Sequence, residues 1–238
     1  MVKGDIETGN PDQLYPGMME SPQMRWAFIG KVYSILSIQF FLTAVVAALV
    51  VFVKAIPNFI VNSGTPGHAV YVVIIILPFL LLCPLYILHK HHPWNFIFLM
   101  LFTVTIAFAV GLSCAFTEGR IVLEAAILTS VVVVGLTAYT FWAVKRGKDF
   151  SFLGPFLFAS LLVLFVFSFI QILFPLGKLS HAIYGGVSAI IFCGFIVYDT
   201  DNLIKRYTYD EYIIASVAIY LDVINLFLSL LTLFTNTD

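Results

Sequence analysis

The chain reads as an all-α polytopic membrane protein, a bundle of seven transmembrane helices, and three observations predict this. Hydrophobic residues fill 61% of its 238 positions and charged residues only 11%, whereas a soluble domain carries about 25% charged residues. Mean hydropathy is +1.02. Apolar runs long enough to cross a bilayer follow one another from Val32 almost to the end, and crossing a hydrocarbon core about 30 Å thick takes roughly 20 apolar residues.

Runs bounded by charge, Gly or Pro cover residues 32–53, 69–88, 94–116, 121–144, 152–174, 181–198 and 212–234. Before the first lies a polar segment with Lys3, Asp5, Glu7, Pro11, Pro16, Glu20 and Pro22. It is not a basic region leading into a short apolar core, so it does not read as a cleavable signal peptide, and the first run serves as both targeting signal and first span. The expected organisation is a cytosolic tail over 1–31, a transmembrane domain over 32–234 and a short tail over 235–238. The second run holds Pro78 and Pro84, which free backbone carbonyls for neighbours to satisfy and predict a kinked helix. Short connections such as 89–93 and 175–180 predict antiparallel neighbours. In the sixth run Gly185, Ala189 and Cys193 recur every four residues beside Gly186 and Gly194, a pattern that lets another helix backbone approach closely inside the bundle.

Charge sets the expected sidedness, because Lys and Arg in short loops stay on the cytoplasmic side. Nine basic residues fall on the amino-terminal side (Lys3, Arg25, Lys31, Lys90, Lys145, Arg146, Lys148, Lys205, Arg206) and three opposite (Lys54, Arg120, Lys178). The amino terminus is therefore expected in the cytosol and the carboxyl terminus outside or in a lumen. A net charge of −1 supplies no basic field to gather nucleic acid. Cys83, Cys114 and Cys193 all lie in apolar runs, where a thiol acts as a small hydrophobe and suggests no disulfide framework. No N-x-S/T site occurs to report sidedness.

Ionisable groups at mid-bilayer cost about 2.5–3.5 kcal/mol even on lenient scales, so Glu124, Asp199 and Asp222 need a reason. Asp222 sits in the middle of the seventh run, within Tyr220-Leu221-Asp222-Val223-Ile224-Asn225, too deep for so short a side chain to reach water. Asp199 closes the sixth run. The midpoint between the two falls between Asp210 and Glu211, in the connection Tyr207-Thr208-Tyr209-Asp210-Glu211. Residues equidistant from the turn of a helical hairpin share a depth, here about 15 Å at 1.5 Å per residue. Two carboxylates are thus expected to face each other, cannot both ionise cheaply, and titrate as a unit. Once ionised they offer hard oxygen ligands, a transient site for a divalent cation such as calcium, which enters as permeant ion and not as cofactor. Asp201 lies about 200° round the same helix and is expected as a solvated end charge. Glu124, near Glu118 and Arg120, either lines with Glu118 the outer mouth of a pathway or pairs with Arg120. The run His89-Lys90-His91-His92 lacks the further His or acid sets of a membrane metal site and reads as a solvated loop.

Tyr15-Pro16-Gly17-Met18, Glu20-Ser21-Pro22, Arg25-Trp26-Ala27-Phe28-Ile29, Tyr198-Asp199-Thr200-Asp201-Asn202 and Tyr220-Leu221-Asp222-Val223-Ile224-Asn225-Leu226-Phe227 are segments in which the chain resembles the transmembrane Bax inhibitor-1 motif family, Lifeguard branch of plant type. The resemblance covers both ends of the chain and the seven-span pattern between. It implies a last helix surrounded by the other six, a pH-sensitive calcium leak latched by an aspartate pair matching Asp199 and Asp222, and suppression of programmed cell death. It also implies residence in the endoplasmic reticulum, Golgi or plasma membrane, with the bilayer, calcium and other membrane proteins of cell-death control as partners. Some members are thought to hold the latch with a second-helix arginine. Residues 69–88 contain no basic residue, so Lys90 or His89 would substitute, or a shared proton alone would hold the pair.

Competing readings fit less well. An intramembrane aspartyl protease would carry Gly-x-Gly-Asp in the last helix, where Tyr220 and Leu221 precede Asp222; no catalytic residue, and no enzyme, is expected. A seven-helix receptor would show an Asp-Arg-Tyr type motif, and a retinal protein a lysine in the last span; neither is present. A non-channel regulator that acts by partner binding would leave no motif at all.

Overall fold

The computed structural model describes residues 13–174 and 176–237. The expected tail lies outside the described residues as far as residue 12, as does Asp238. The described residues form eight helices: α1 (Pro22–Phe52), α2 (Ala55–Asn62), α3 (Thr65–Leu88), α4 (Trp94–Ala115), α5 (Gly119–Lys145), α6 (Leu153–Leu173), α7 (Lys178–Lys205) and α8 (Tyr212–Thr237). All except α2 are long and apolar enough to cross a membrane, which makes seven spans.

Local sequence accounts for the boundaries. Pro22 opens α1 from an extended Ser21, since its fixed φ suits a first helical turn and its missing N–H is not needed there. The helix starts ten residues ahead of the apolar run that begins at Val32. Gly64, at φ +65, breaks the chain between α2 and α3; α2 lies between the first two apolar runs, and its eight residues are too few to show as a run of spanning length. Gly147, at φ +78, ends α5 by returning its N–H to the Val144 carbonyl, a left-handed cap that costs glycine nothing. α3 runs as one helix through Pro78 and Pro84. α7 continues seven residues past the predicted end at 198, so Asp199 and Asp201 sit within a helix, not at its end.

α8 occupies the centre. It is the most buried span and packs against α1, α4, α5 and α7, while α6 leans on α7 and α3 on α4. The small-residue stripe of α7 does what its spacing predicts: a Cβ at Gly185 would lie 2.7 Å from the Leu233 nitrogen and 2.8 Å from the Ser229 carbonyl oxygen of α8. Gly194 admits the Leu157 side chain of α6 in the same way, at 2.8 Å. Trp26, Trp94 and Trp142 are all half exposed and gather at the end of the bundle that carries the amino terminus, as residues of an interfacial aromatic belt do.

Candidate functional site

The α7–α8 hairpin brings Asp199 and Asp222 together. Each carboxyl counts the other among its hydrogen-bonding partners. Asp222 is 6% exposed, and its Oδ2 has no hydrogen-bond partner among the described residues. Asp199 is half-buried and accepts a bond from Asn202 Nδ2 at 3.3 Å. Asn202 Oδ1 in turn accepts from Arg206 Nη1 at 3.1 Å, and Arg206 Nη2 reaches Asp149 at 3.1 Å. Residues 199, 202 and 206 share one helix face, since i, i+3 and i+7 stack. A hydrogen-bonded chain therefore runs from the buried pair to the exposed α5–α6 connection.

No cationic side chain bonds to either carboxyl among the described residues. His89 and Lys90 sit by Glu211 instead, and together with the Thr208 backbone N–H, the largest influence, they hold its carboxyl below the usual range. Neither takes the place of the arginine that some relatives are thought to use. The pair is held by the two helices and by its own hydrogen bonding.

Asp201 differs from expectation. It points away from Asp222, as the helical angle requires, but it is fully buried and pairs with Lys205 Nζ at 2.7 Å. Away from α8 here means toward the α5–α6 connection, not toward water: Lys205 also donates to the Lys148 carbonyl at 2.7 Å and approaches Asp149 at 3.7 Å. Ser151 chiefly, with Lys205 and Arg206, lowers the Asp149 carboxyl to about 2. Glu124 takes the second of its two expected places, exposed and bonded to Arg120 at 2.8 Å. Glu118 is exposed at the start of α5. Neither glutamate meets the aspartate pair.

Two further features escaped sequence reading. Opposite Asp222 on α8, the Tyr220 hydroxyl shares a 2.7 Å hydrogen bond with Thr43 of α1, and Gln39 Nε2 donates to Thr103 of α4 at 3.0 Å; Gln39, Thr103 and Tyr220 are completely buried. The second is at the amino-terminal end. Arg25, a loop charge by composition, is 2% exposed; its Nη1 donates to the Tyr207 carbonyl at 2.6 Å and its Nη2 bonds Glu20 at 2.7 Å. Its guanidinium lies 5.2 Å from the centre of the Tyr209 ring and 5.6 Å from that of Phe28. The Tyr209 hydroxyl donates to the same Glu20 oxygen at 2.7 Å, and this bond, with the Arg25 charge, holds the Glu20 carboxyl below its ordinary value. The only hint in sequence was the cluster of aromatic residues around positions 25 and 209.

Comparison with known proteins places the chain. The family model described as "Inhibitor of apoptosis-promoting Bax1" matches residues 25–238. The chain belongs to this family. It is 61% identical over 236 residues to "Protein LIFEGUARD 2" of Arabidopsis thaliana, covering 99% of this chain and 98% of that protein. "Protein lifeguard 4" of Mus musculus is 39% identical over 212 residues (89% and 85%). The "Golgi anti-apoptotic protein" of Vaccinia virus (strain Lister) is 36% identical over 214 residues (90% and 86%). As a Lifeguard-branch member, the chain carries the aspartate pair in the two motifs that suggested the resemblance.

Proposed function

We propose that this Lifeguard protein is a pH-sensitive calcium leak of endomembranes, with a role in suppressing cell death. The observation that carries the reading is the meeting of Asp199 and Asp222 inside the bundle, with no cationic side chain bonded to either carboxyl among the described residues. One shared proton leaves the pair with a single negative charge and a mutual hydrogen bond. Loss of that proton leaves two carboxylates that repel across α7–α8 and offer hard oxygens to a dehydrating divalent cation. The chain Asp199–Asn202–Arg206–Asp149 supports access from the amino-terminal side, proposed as cytosolic on the basic-residue bias.

Cell-death suppression rests on the family description and on the names of relatives, and a Golgi location on one of those names. Those names also favour a second reading, a membrane regulator that acts through partner proteins without conducting. Purified protein in liposomes loaded with a calcium indicator, assayed from about pH 5 to 8, separates the two. The leak reading expects pH-dependent flux that Asp222→Asn, nearly isosteric, removes. Absence of flux from the wild type, or flux and pH response unchanged in Asp222→Asn, would refute it.

A further inference from the structure

Beneath the aspartate pair, at the amino-terminal end, the segment before α1 is built into the bundle. Tyr15-Pro16-Gly17-Met18 forms a turn closed by the Met18 N–H on the Tyr15 carbonyl at 3.4 Å, with Gly17 at φ +79. Proline at the second position and a left-handed glycine at the third are the demands of a type II turn. The turn drops Leu14 and Met18 into the core, at 6% and 7% exposure. Arg25 then ties this segment, through Glu20, to the connection between α7 and α8: it bonds the Tyr207 carbonyl, stacks on Tyr209, and shares Glu20 with the Tyr209 hydroxyl.

Tyr207 is the residue so held. Its ring packs against the core, and its hydroxyl feels the charges of both Asp199 and Asp222, which together with burial, the larger influence, push it above the ordinary tyrosine value. An arginine buried at a helix start and bonded to a loop carbonyl is costly to leave unpaired, so the four-residue arrangement is held or released as a unit.

We propose that residues 13–25 form a cap that holds Tyr207 beneath the aspartate pair, and that the Arg25–Glu20–Tyr209 clamp controls access to the pair from the amino-terminal side. Release requires only that the clamp let go of the Tyr207 carbonyl; the helices need not unfold. The idea rests on the reading of the pair as a site, but it concerns access and is testable whether or not the protein conducts calcium.

The probe is the thiol of an Asp222→Cys variant in a background with Cys83, Cys114 and Cys193 replaced by Ser, in lipid nanodiscs, reacted with a positively charged, membrane-impermeant methanethiosulfonate. Glu20→Gln removes the charge that Arg25 and Tyr209 share while keeping the size of the side chain, and Tyr209→Phe removes one hydrogen bond to that charge while keeping the ring. Each should raise the labelling rate about tenfold, the shift expected from losing one such bond. Arg25→Gln should raise it further; if that variant fails to fold, Tyr209→Phe, which keeps the stack on Arg25, still decides. Rates within about twofold of the Asp222→Cys parent, whose clamp is intact, in both single variants would overturn the cap. Wild-type liposome flux separates the two ideas. Absent flux with faster labelling sinks the leak and leaves the cap, whereas wild-type flux with unchanged labelling sinks the cap and leaves the leak.

Discussion

The close approach of α7 to α8 gives a prediction that needs no assumption about function. Gly185 and Gly186 are neighbours on α7, yet a methyl group would meet very different surroundings at the two. At Gly185 the added Cβ would lie 2.7 Å from the Leu233 nitrogen, 2.8 Å from the Ser229 oxygen and 3.0 Å from the Leu233 Cα. These are backbone atoms of the central helix and cannot swing aside. At Gly186 the nearest atom is Leu233 Cδ1 at 3.8 Å, an ordinary contact with a flexible tip. Glycine to alanine within a helix gains about 1 kcal/mol of propensity at either site, so that gain cancels in the comparison. What remains is the overpacking cost at Gly185, about 1–3 kcal/mol. Gly186→Ala should therefore melt at or above the wild type, and Gly185→Ala below it, in detergent at one scan rate. Equal midpoints, or Gly186→Ala as the weaker protein, would show that α7 and α8 do not approach as described.

Four further outcomes are expected. In a cycle of Asp199→Asn, Asp222→Asn and the double variant, the effects on the pH response of flux should be strongly non-additive, because the pair acts as a unit; additive effects with unshifted midpoints would mean the carboxyls are independent. Asn95 is fully buried and donates to the His89 carbonyl at 3.1 Å and the Tyr212 hydroxyl at 2.9 Å, so Asn95→Leu should cost about 1–3 kcal/mol in unfolding measurements. Asp149 has a lowered folded value of about 2. Its stabilising pairings are present above the unfolded value near 3.9 and are lost as pH falls toward about 2, so the stability gap between wild type and Asp149→Asn should close as pH drops below about 4. A protease-sensitive tag after Asp238 should resist digestion from the cytosolic side of intact vesicles; digestion there would overturn the expected sidedness.

Hydropathy made the spans legible because each helix must be apolar over the same thickness, and the hairpin register made Asp199 and Asp222 legible because depth follows from residue count alone. What escaped was decided by neighbours far away in sequence. The angle of Asp201 was right, but whether that direction meets water depends on Lys148, Asp149 and Lys205. Arg25 carries the signature of a loop charge and is buried because Phe28, Tyr207, Tyr209 and Glu20 converge on it from two ends of the chain. Glu124 had two open readings, separated only by the exposed orientation of its face of α5.

The order of burial among the spans follows from the solvent. α7 and α8 are the least apolar of the seven, yet α8 is the most buried; α6, among the most apolar, is the least buried. In water this ranking would be reversed. In a bilayer an apolar helix loses nothing by facing lipid, whereas each polar side chain there lacks a partner. α8 carries polar groups on opposite faces: Asp222 turned to α7, and Tyr220, two residues and about 200° away, turned to Thr43 of α1. Only a helix with protein on both sides can satisfy both. The same requirement that places α8 at the centre places the aspartate pair beside it, so the central position of the last helix and the burial of Asp222 have a single cause.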